Sequence, residues 1–328
     1  MLVLSRTEVR DLLDLERLIE ALAAAMADLS AGRASVPSRG AAVVGDRDAF
    51  LATMVSYSPT GQALAAKLMS VFPHNAGGPL PTHQGVICVF DPTSGEPVAL
   101  MDATYITAMR TAGGSALATR LLARPDAAVM AVLGTGVQAR AHARLVPRVR
   151  RLREVRVAGR DPAAARALAE ELSGELAARV LAVGTYAEAL RGADIACATT
   201  HSIDPVIRRE WLTPGVHVNS VGYNPAGREL DDATVIDAFV VVESRAAALA
   251  PFPSGANDLT QPLREGVIGA NHVRAEIGEL VAGTREGRRS PEQITLYKSV
   301  GVAVQDAAAA ALVLEAAEER GIGRTIRL

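Results

Sequence analysis

The sequence predicts an α/β protein in two parts, a parallel sheet covered by helices on both faces joined to a second α+β part, and three observations predict it. From Ala127 onward apolar runs of strand length alternate with Ala-rich stretches of helical spacing, the pattern of strands that pair in parallel through helical crossovers. Between Arg39 and Leu100 strand-like runs follow one another with no helix between them, which marks an antiparallel or mixed sheet. Third, the turn Gly134-Thr-Gly136-Val-Gln-Ala139 follows an apolar strand directly and opens a helix.

Taken in order, Ser5 and Glu8 form a capping-box pattern, and Leu15, Leu18, Ile19, Leu22, Met26 and Leu29 recur at helical spacing until Gly32; the chain opens with an amphipathic helix. Strands are expected over 50–57, 63–72, 85–90 and 97–100, the last two around a turn at Asp91 to Gly95. Residues 102–123 read as helix, although Gly113 and Gly114 together cost roughly 2 kcal/mol of helix propensity relative to Ala. Such a pair signals either tight helix packing or close approach of a ligand. Strands follow over 127–133, 154–158, 179–183, 194–199, 216–221 and 239–242, with helices over 137–147 and 162–172. The Ala-rich helix from Val302 to Arg320 ends at Gly321 and is free to return to the first domain. The expected domains are therefore 1–122 with 303–328, and 123–302.

Composition narrows the function. At 328 residues the chain has room for two domains, each with its own core. Aromatics supply 3% of it, so those cores must be aliphatic and tightly spaced. Thirty-four basic against thirty-six acidic residues, with the arginines scattered, disfavour a nucleic-acid partner. The densest basic run, Arg148 to Arg156, lacks interleaved aromatics and reads as a solvated face. Cys88 and Cys197 sit in apolar runs and read as buried thiols in a reducing compartment. No basic leader and no apolar run of membrane-spanning length is seen, so a cytoplasmic, non-membrane protein is expected. No metal site is expected.

In the turn, Gly134 permits the tight reversal, Gly136 lets backbone approach a pyrophosphate, and Ala139 keeps helix and strand close. The helix N-terminus then presents free N–H groups to the phosphates. This is a Rossmann-type dinucleotide cradle. The second strand ends at Gly159-Arg160-Asp161; Arg160 in the position that meets the ribose favours NADP(H) over NAD(H), while Asp161 would either cap the next helix or bind the ribose.

Period-two alternation puts Lys67 on one face with Ala65, Met69 and Val71. It is either a lysine snorkelling at a sheet edge or a partly desolvated ammonium of depressed pKa that exchanges protons. Arg110, just before the helix-weakening glycines, and Arg39, after Pro37, are candidate grips for a carboxylate.

Arg39, Lys67, Arg110, the Gly134 turn, Glu229-Leu-Asp231, Glu276-Ile-Gly-Glu279 and the segment from Ile294 to Gly301 stand in an order and spacing that resembles the ornithine cyclodeaminase and mu-crystallin family over nearly the whole chain. The resemblance implies a homodimer whose N-terminal domain, completed by the C-terminal helix, carries the dimer interface and the substrate site, facing the nucleotide domain across a cleft. It implies that Arg39, Lys67 and Arg110 surround a substrate carboxylate, with Lys67 also near the reacting nitrogen, and Thr111 and Asn224 beside the substrate. Gly134, Thr135, Gly136, Val137, Gln138 and Arg160 would hold the nucleotide, Thr199, Thr200 and Val221 would border it, and Ser299, Val300 and Gly301 would lie near the nicotinamide.

The sequence departs from the cyclodeaminases in the loop after 216–222, where they carry an Asp: there is no acid between Gly222 and Arg228, and Asn224 cannot take up a proton. Asp231 and Asp232 read as the start of a helix rather than a substitute. The expected activity is NAD(P)H-dependent reduction of a small carboxylated imine or ketimine to an amino acid, or the reverse. An ornithine cyclodeaminase, an alanine-type dehydrogenase and a non-catalytic NADP(H)-dependent binder are the rivals.

Overall fold

The computed structural model describes residues 1–75, 77–224, 226–251 and 254–327. In chain order its elements are β1 (Leu2–Leu4), α1 (Arg6–Leu12), α2 (Leu15–Ser30), β2 (Gly40–Val44), β3 (Ala49–Ser58), β4 (Ala63–Val71), β5 (His83–Phe90), β6 (Pro97–Asp102) and α3 (Ala103–Leu122). There follow β7 (Val129–Leu133), α4 (Val137–Leu145), β8 (Glu154–Ala158), α5 (Pro162–Ser173), β9 (Arg179–Ala182), α6 (Tyr186–Leu190), β10 (Ile195–Ala198) and β11 (His217–Ser220). The chain closes with α7 (Asp232–Asp237), β12 (Phe239–Val242), α8 (Arg245–Ala248), α9 (Asn257–Arg264), β13 (Val273–Glu276), α10 (Ile277–Val281), β14 (Thr295–Lys298), α11 (Ala303–Arg320) and β15 (Arg324–Thr325).

The chain divides into two compact units, Met1–Arg110 with Gly301–Leu328, and Thr111–Val300. The first division falls inside α3, whereas the expected boundary at 122/123 lies at that helix's end. Gly113 and Gly114 are buried within the unbroken helix.

The first unit is a seven-stranded sheet of order β15-β1-β6-β5-β4-β3-β2. It is antiparallel except where β1 runs parallel to β6. The opening helix of the sequence is two helices, because Ser5 caps α1 in a full capping box and Asp14 starts α2 afresh. α11 packs on α2 and across β3, β4 and β5, so the C-terminal segment closes the core of the N-terminal one. Leu18, Leu22 and Met26 supply the inward stripe of α2. On the opposite face of the sheet Leu51, Val55, Leu68 and Val86 are 38–45% exposed.

The second unit is an eight-stranded, all-parallel sheet of order β13-β12-β14-β11-β10-β7-β8-β9. Val129, Ala131 and Leu133 of β7 feed one core cluster, and Met130 and Val132 the other, so this strand is buried on both faces, as a doubly covered parallel sheet requires. Ala139 and Ala143 of α4 and Ala165 and Ala169 of α5 bring these helices close to the strands with little side chain between.

Two expectations are corrected. The run Arg148 to Arg156 is not a solvated face throughout: Arg150 donates to the carbonyls of Arg120, Ala123 and Arg124, closing the C-terminal end of α3, and Arg156 pairs with Glu154 at 2.7 Å. Cys88 is half-buried rather than buried, while Cys197 is buried, and both are free thiols.

α11 ends on Gly321 at φ 62°, with open space where a Cβ would stand. Gly321→Ala therefore meets only the left-handed backbone, a cost of about 1–2 kcal/mol. Urea titration of the variant should show a lowered midpoint, and an unchanged midpoint would contradict this ending of the helix.

Candidate functional site

In the first unit two of the three cations foreseen in the sequence, Lys67 and Arg110, converge on one carboxylate, and the third, Arg39, lies close enough to act on Lys67. β4 lies between β3 and β5, so Lys67 is not at a sheet edge. It stands in a buried cross-strand row with Met54, Ile87 and Met101 and is 1% exposed. Its Nζ reaches Asp306 Oδ1 at 2.9 Å, and Arg110 Nε reaches the same oxygen at 3.2 Å. Asp306 and Gln305 occupy the first turn of α11, where the helix dipole favours an anion. Gln305 Oε1 accepts from Arg110 Nη1 at 2.9 Å and from the backbone N–H of Val302 at 3.1 Å, which fixes the guanidinium from its other side. Arg39, from the exposed segment before β2, donates to the carbonyl of Gly301. Gly301 is at φ 72°, and a Cβ there would lie 2.8 Å from Arg110 Nη2, so only glycine fits.

Burial pushes Lys67 down from 10.5 to about 8; Asp306 opposes the shift, while Arg110 and Arg39 add to it. Burial would raise the Asp306 carboxyl, but Arg110 and Lys67 outweigh it and hold the group below the ordinary aspartate value. The cluster is thus an ionised carboxylate held by two cations, Lys67 and Arg110, with Arg39 acting on Lys67, which titrates at about 8.

In the second unit the candidate nucleotide residues gather at the C-terminal ends of the parallel strands, where α/β sheets bind ligands. Gly134 turns at φ 114°, and its N–H donates to Ala158 O at 2.8 Å. A Cβ there would lie 2.8 Å from Thr199 Oγ1, which itself donates to Leu133 O. At Gly136, the N-cap of α4, a Cβ would meet nothing within 4 Å and no side chain caps the helix. Backbone N–H groups are thereby left bare at the place a pyrophosphate requires. Thr135 O accepts from Arg140, Val137 is exposed, and Gln138 Oε1 is buried without a hydrogen-bond partner among the described residues. These features fit a dinucleotide.

Arg160 is exposed just past β8, and Asp161 is the N-cap of α5, accepting from Ala163 N. Val221 N donates to Ala198 O. Ser299 Oγ and Val300 N are both held by Glu243. Thr111 is buried within α3. Asn224 has both ends of its amide engaged: Oδ1 accepts from Ala226 N within its own turn, and Nδ2 donates to His201 O in the segment after β10. Asp231 caps α7, and Asp232 pairs with Arg228, so both act as local structure.

Sequence reasoning missed a buried network beneath these ends. Glu229 accepts from Thr200 N, Thr200 Oγ1, Ser220 Oγ and Gly222 N. Lys298 Nζ donates to Ser220 Oγ and Gly222 O and pairs with Asp258 at 2.7 Å, while Asp258 also accepts from Glu229 N and Leu230 N. Lysine usage was the overlooked clue: of 34 basic residues the chain has two lysines, Lys67 and Lys298, and both are 1% exposed. His142 and His217 are equally buried, and desolvation depresses them to about 4 and about 3; they are neutral hydrogen-bonding groups rather than acids near neutrality.

Lys298→Met would leave Asp258 buried without its cation, a loss of roughly 3–5 kcal/mol. Chemical denaturation should register it, and a loss below about 1 kcal/mol, the scale of an exposed pair, would show that the pair is not structural.

The chain matches the model of the ornithine cyclodeaminase/mu-crystallin family over residues 1–321. It is 36% identical to a Δ1-pyrroline-2-carboxylate reductase of Bacillus cereus over 328 residues, 99% of each chain. Among solved structures it resembles the Thermococcus litoralis Δ1-pyrroline-2-carboxylate reductase in complex with NADH and L-proline, with a TM-score of 0.95, 38% identity and 99% and 100% of the two chains covered. It also resembles an archaeal alanine dehydrogenase dimer with bound NAD, with a TM-score of 0.91, 30% identity and 100% and 99% coverage. A whole-chain match of this kind settles kinship: the chain belongs to the ornithine cyclodeaminase/mu-crystallin family.

Proposed function

We propose that the protein is an NAD(P)H-dependent reductase that converts a small carboxylated imine, of the Δ1-pyrroline-2-carboxylate type, to its amino acid. The observation that carries this reading is the buried Lys67, tied with Arg110 to Asp306 and backed by Arg39, in a chain whose relatives reduce such an imine. Arg39 and Arg110 receive the substrate carboxylate through planar, paired N–H donors. Lys67 gives a proton to the imine nitrogen and in the reverse direction takes it back. When bound, the dihydronicotinamide supplies the hydride that goes to the imine carbon. Imine, hydride and proton then sum to the amine.

Asn224, its amide engaged by Ala226 N and His201 O, offers no carboxylate for the successive proton transfers of cyclodeamination, which supports simple reduction over the cyclodeaminase reading. Release of ammonia from ornithine with catalytic NAD⁺ would favour the cyclodeaminase, ammonium-dependent loss of NADH with pyruvate the alanine dehydrogenase, and tight NADP(H) binding with no turnover of any of these compounds the binder.

For the cofactor we favour NADP(H) over NAD(H). Because Asp161 is committed to capping α5, Arg160 is left to meet a 2′-phosphate. For assembly we favour a homodimer through the exposed sheet face of Leu51, Val55, Leu68 and Val86, an apolar surface suited to a second copy. The free thiols fit a cytoplasmic setting.

With Δ1-pyrroline-2-carboxylate the wild type should consume NADPH or NADH, and Lys67→Ala should lose about 10²-fold or more in kcat/KM; full retention would remove Lys67 from the chemistry. Since reduction needs the ammonium, and Lys67 loses its proton near pH 8, kcat/KM should fall as pH rises through about 8. A flat profile from pH 7 to 10 would contradict the assignment. Arg160→Ala should raise KM for NADPH and leave that for NADH unchanged, whereas equal effects on both would refute the 2′-phosphate contact. Leu68→Asp should shift the sedimentation coefficient to that of a monomer.

A further inference from the structure

We propose that Asp306 is the positioning residue of the reduction, its Oδ1 holding the Lys67 ammonium and the Arg110 guanidinium to one point so that Lys67 stays charged and aimed as the proton donor. The inference rests on the reading of Lys67 as that donor, and it adds a group from a different element, the first turn of α11, where the sequence carries no functional motif.

The charged groups facing Lys67 are Asp306 from α11, Arg110 from α3 and Arg39 from the segment before β2. Its partners on β3 and β5, Met54 and Ile87, are apolar. Two of the three charges therefore drive the proton off, burial does the same, and among the described groups only Asp306 keeps it on. Asp306 is itself 1% exposed, and its Oδ2 accepts no hydrogen bond among the described residues, so it acts through Oδ1 alone. Sharing that one oxygen makes the two cations interdependent: a displacement of the carboxylate moves the proton donor and the carboxylate grip together. In a turnover Lys67 Nζ passes its proton to the imine nitrogen and is left neutral beside Asp306. Uptake of a solvent proton, favoured by that carboxylate, restores the ammonium for the next cycle.

The chain's two lysines permit a direct test. In protein labelled with ¹³Cε-lysine, Lys67 is assigned by the signal lost in Lys67→Arg, and its titration is followed by NMR. The wild-type midpoint should lie near 8. Asp306→Asn should lower it by about one unit or more and carry the alkaline limb of kcat/KM for Δ1-pyrroline-2-carboxylate down with it, with KM for the nucleotide unchanged. Asp306→Glu should restore the midpoint. Arg110→Gln should raise it. Asp306→Ala is followed in the same way if Asp306→Asn fails to fold. A role of Asp306 confined to packing predicts the wild-type midpoint in both neutral variants, and that result would overturn the proposal. Full activity of Lys67→Met would instead sink the proton-donor reading, while the NMR midpoints still judge the hold of Asp306 on Lys67.

Discussion

An ammonium removed from water must be given a negative charge or lose its proton, and this single constraint organises the first unit. Lys67 stands mid-strand in an apolar row, and the carboxylate that answers it lies 239 residues further on. The chain must therefore come back. α11 packs across β3, β4 and β5 with Asp306 in its first turn, and the whole second unit is inserted in sequence between the two halves of the first. Gly301, left-handed and bare of a side chain, lets the returning backbone pass under the Arg110 guanidinium while its carbonyl receives Arg39.

The same economy recurs in the second unit. Lys298, the other lysine, is buried against Asp258, and together with Glu229 it grips both sides of the Gly222 backbone and the start of the 200–202 segment. Apart from the buried Arg110, arginine serves mainly the surface and the helix ends, as Arg150 does for α3, whereas lysine is confined to two buried ion pairs. An ammonium shifts its pKa on burial far more readily than a guanidinium. A protein that needs a proton donor near neutrality has reason to put lysine at Lys67; the pairing of Lys298 holds the ends of the strands instead.

Local chemistry was legible in the sequence. The Ser5 capping box, the alternation of β3 and β4, the glycine turn after β7 and the Gly321 helix stop all depend on neighbours a few residues away, and each was read nearly in place. Lys67 was legible as an oddity, a charge on an apolar face, but whether it snorkels or is buried depends on β4 lying between β3 and β5, which strand spacing alone does not disclose. β13 and β14 run through charged positions, Arg274, Glu276 and Lys298, and only the pairing of β14 between β11 and β12 and of β13 with β12 shows them as sheet strands. Asp306 was hidden for another reason: an acid in the first turn of an Ala-rich helix reads as a solvent-facing residue until long-range packing brings Lys67 and Arg110 to it. Glu229 stands in the sequence only as part of the Glu229-Leu-Asp231 segment, and the fold alone shows four donors converging on it.

In the proposed reaction a nucleotide held at the ends of the parallel strands delivers hydride to a carboxylated imine whose nitrogen is protonated by Lys67. A single turnover with cofactor deuterated at the transferring position of the nicotinamide C4, followed by mass and NMR analysis of the amino acid formed, tests this directly. One deuterium is expected on the α-carbon next to the carboxylate, with formation slowed in Lys67→Ala. An amino acid without that deuterium, or no amino acid at all while nucleotide is bound, would contradict it.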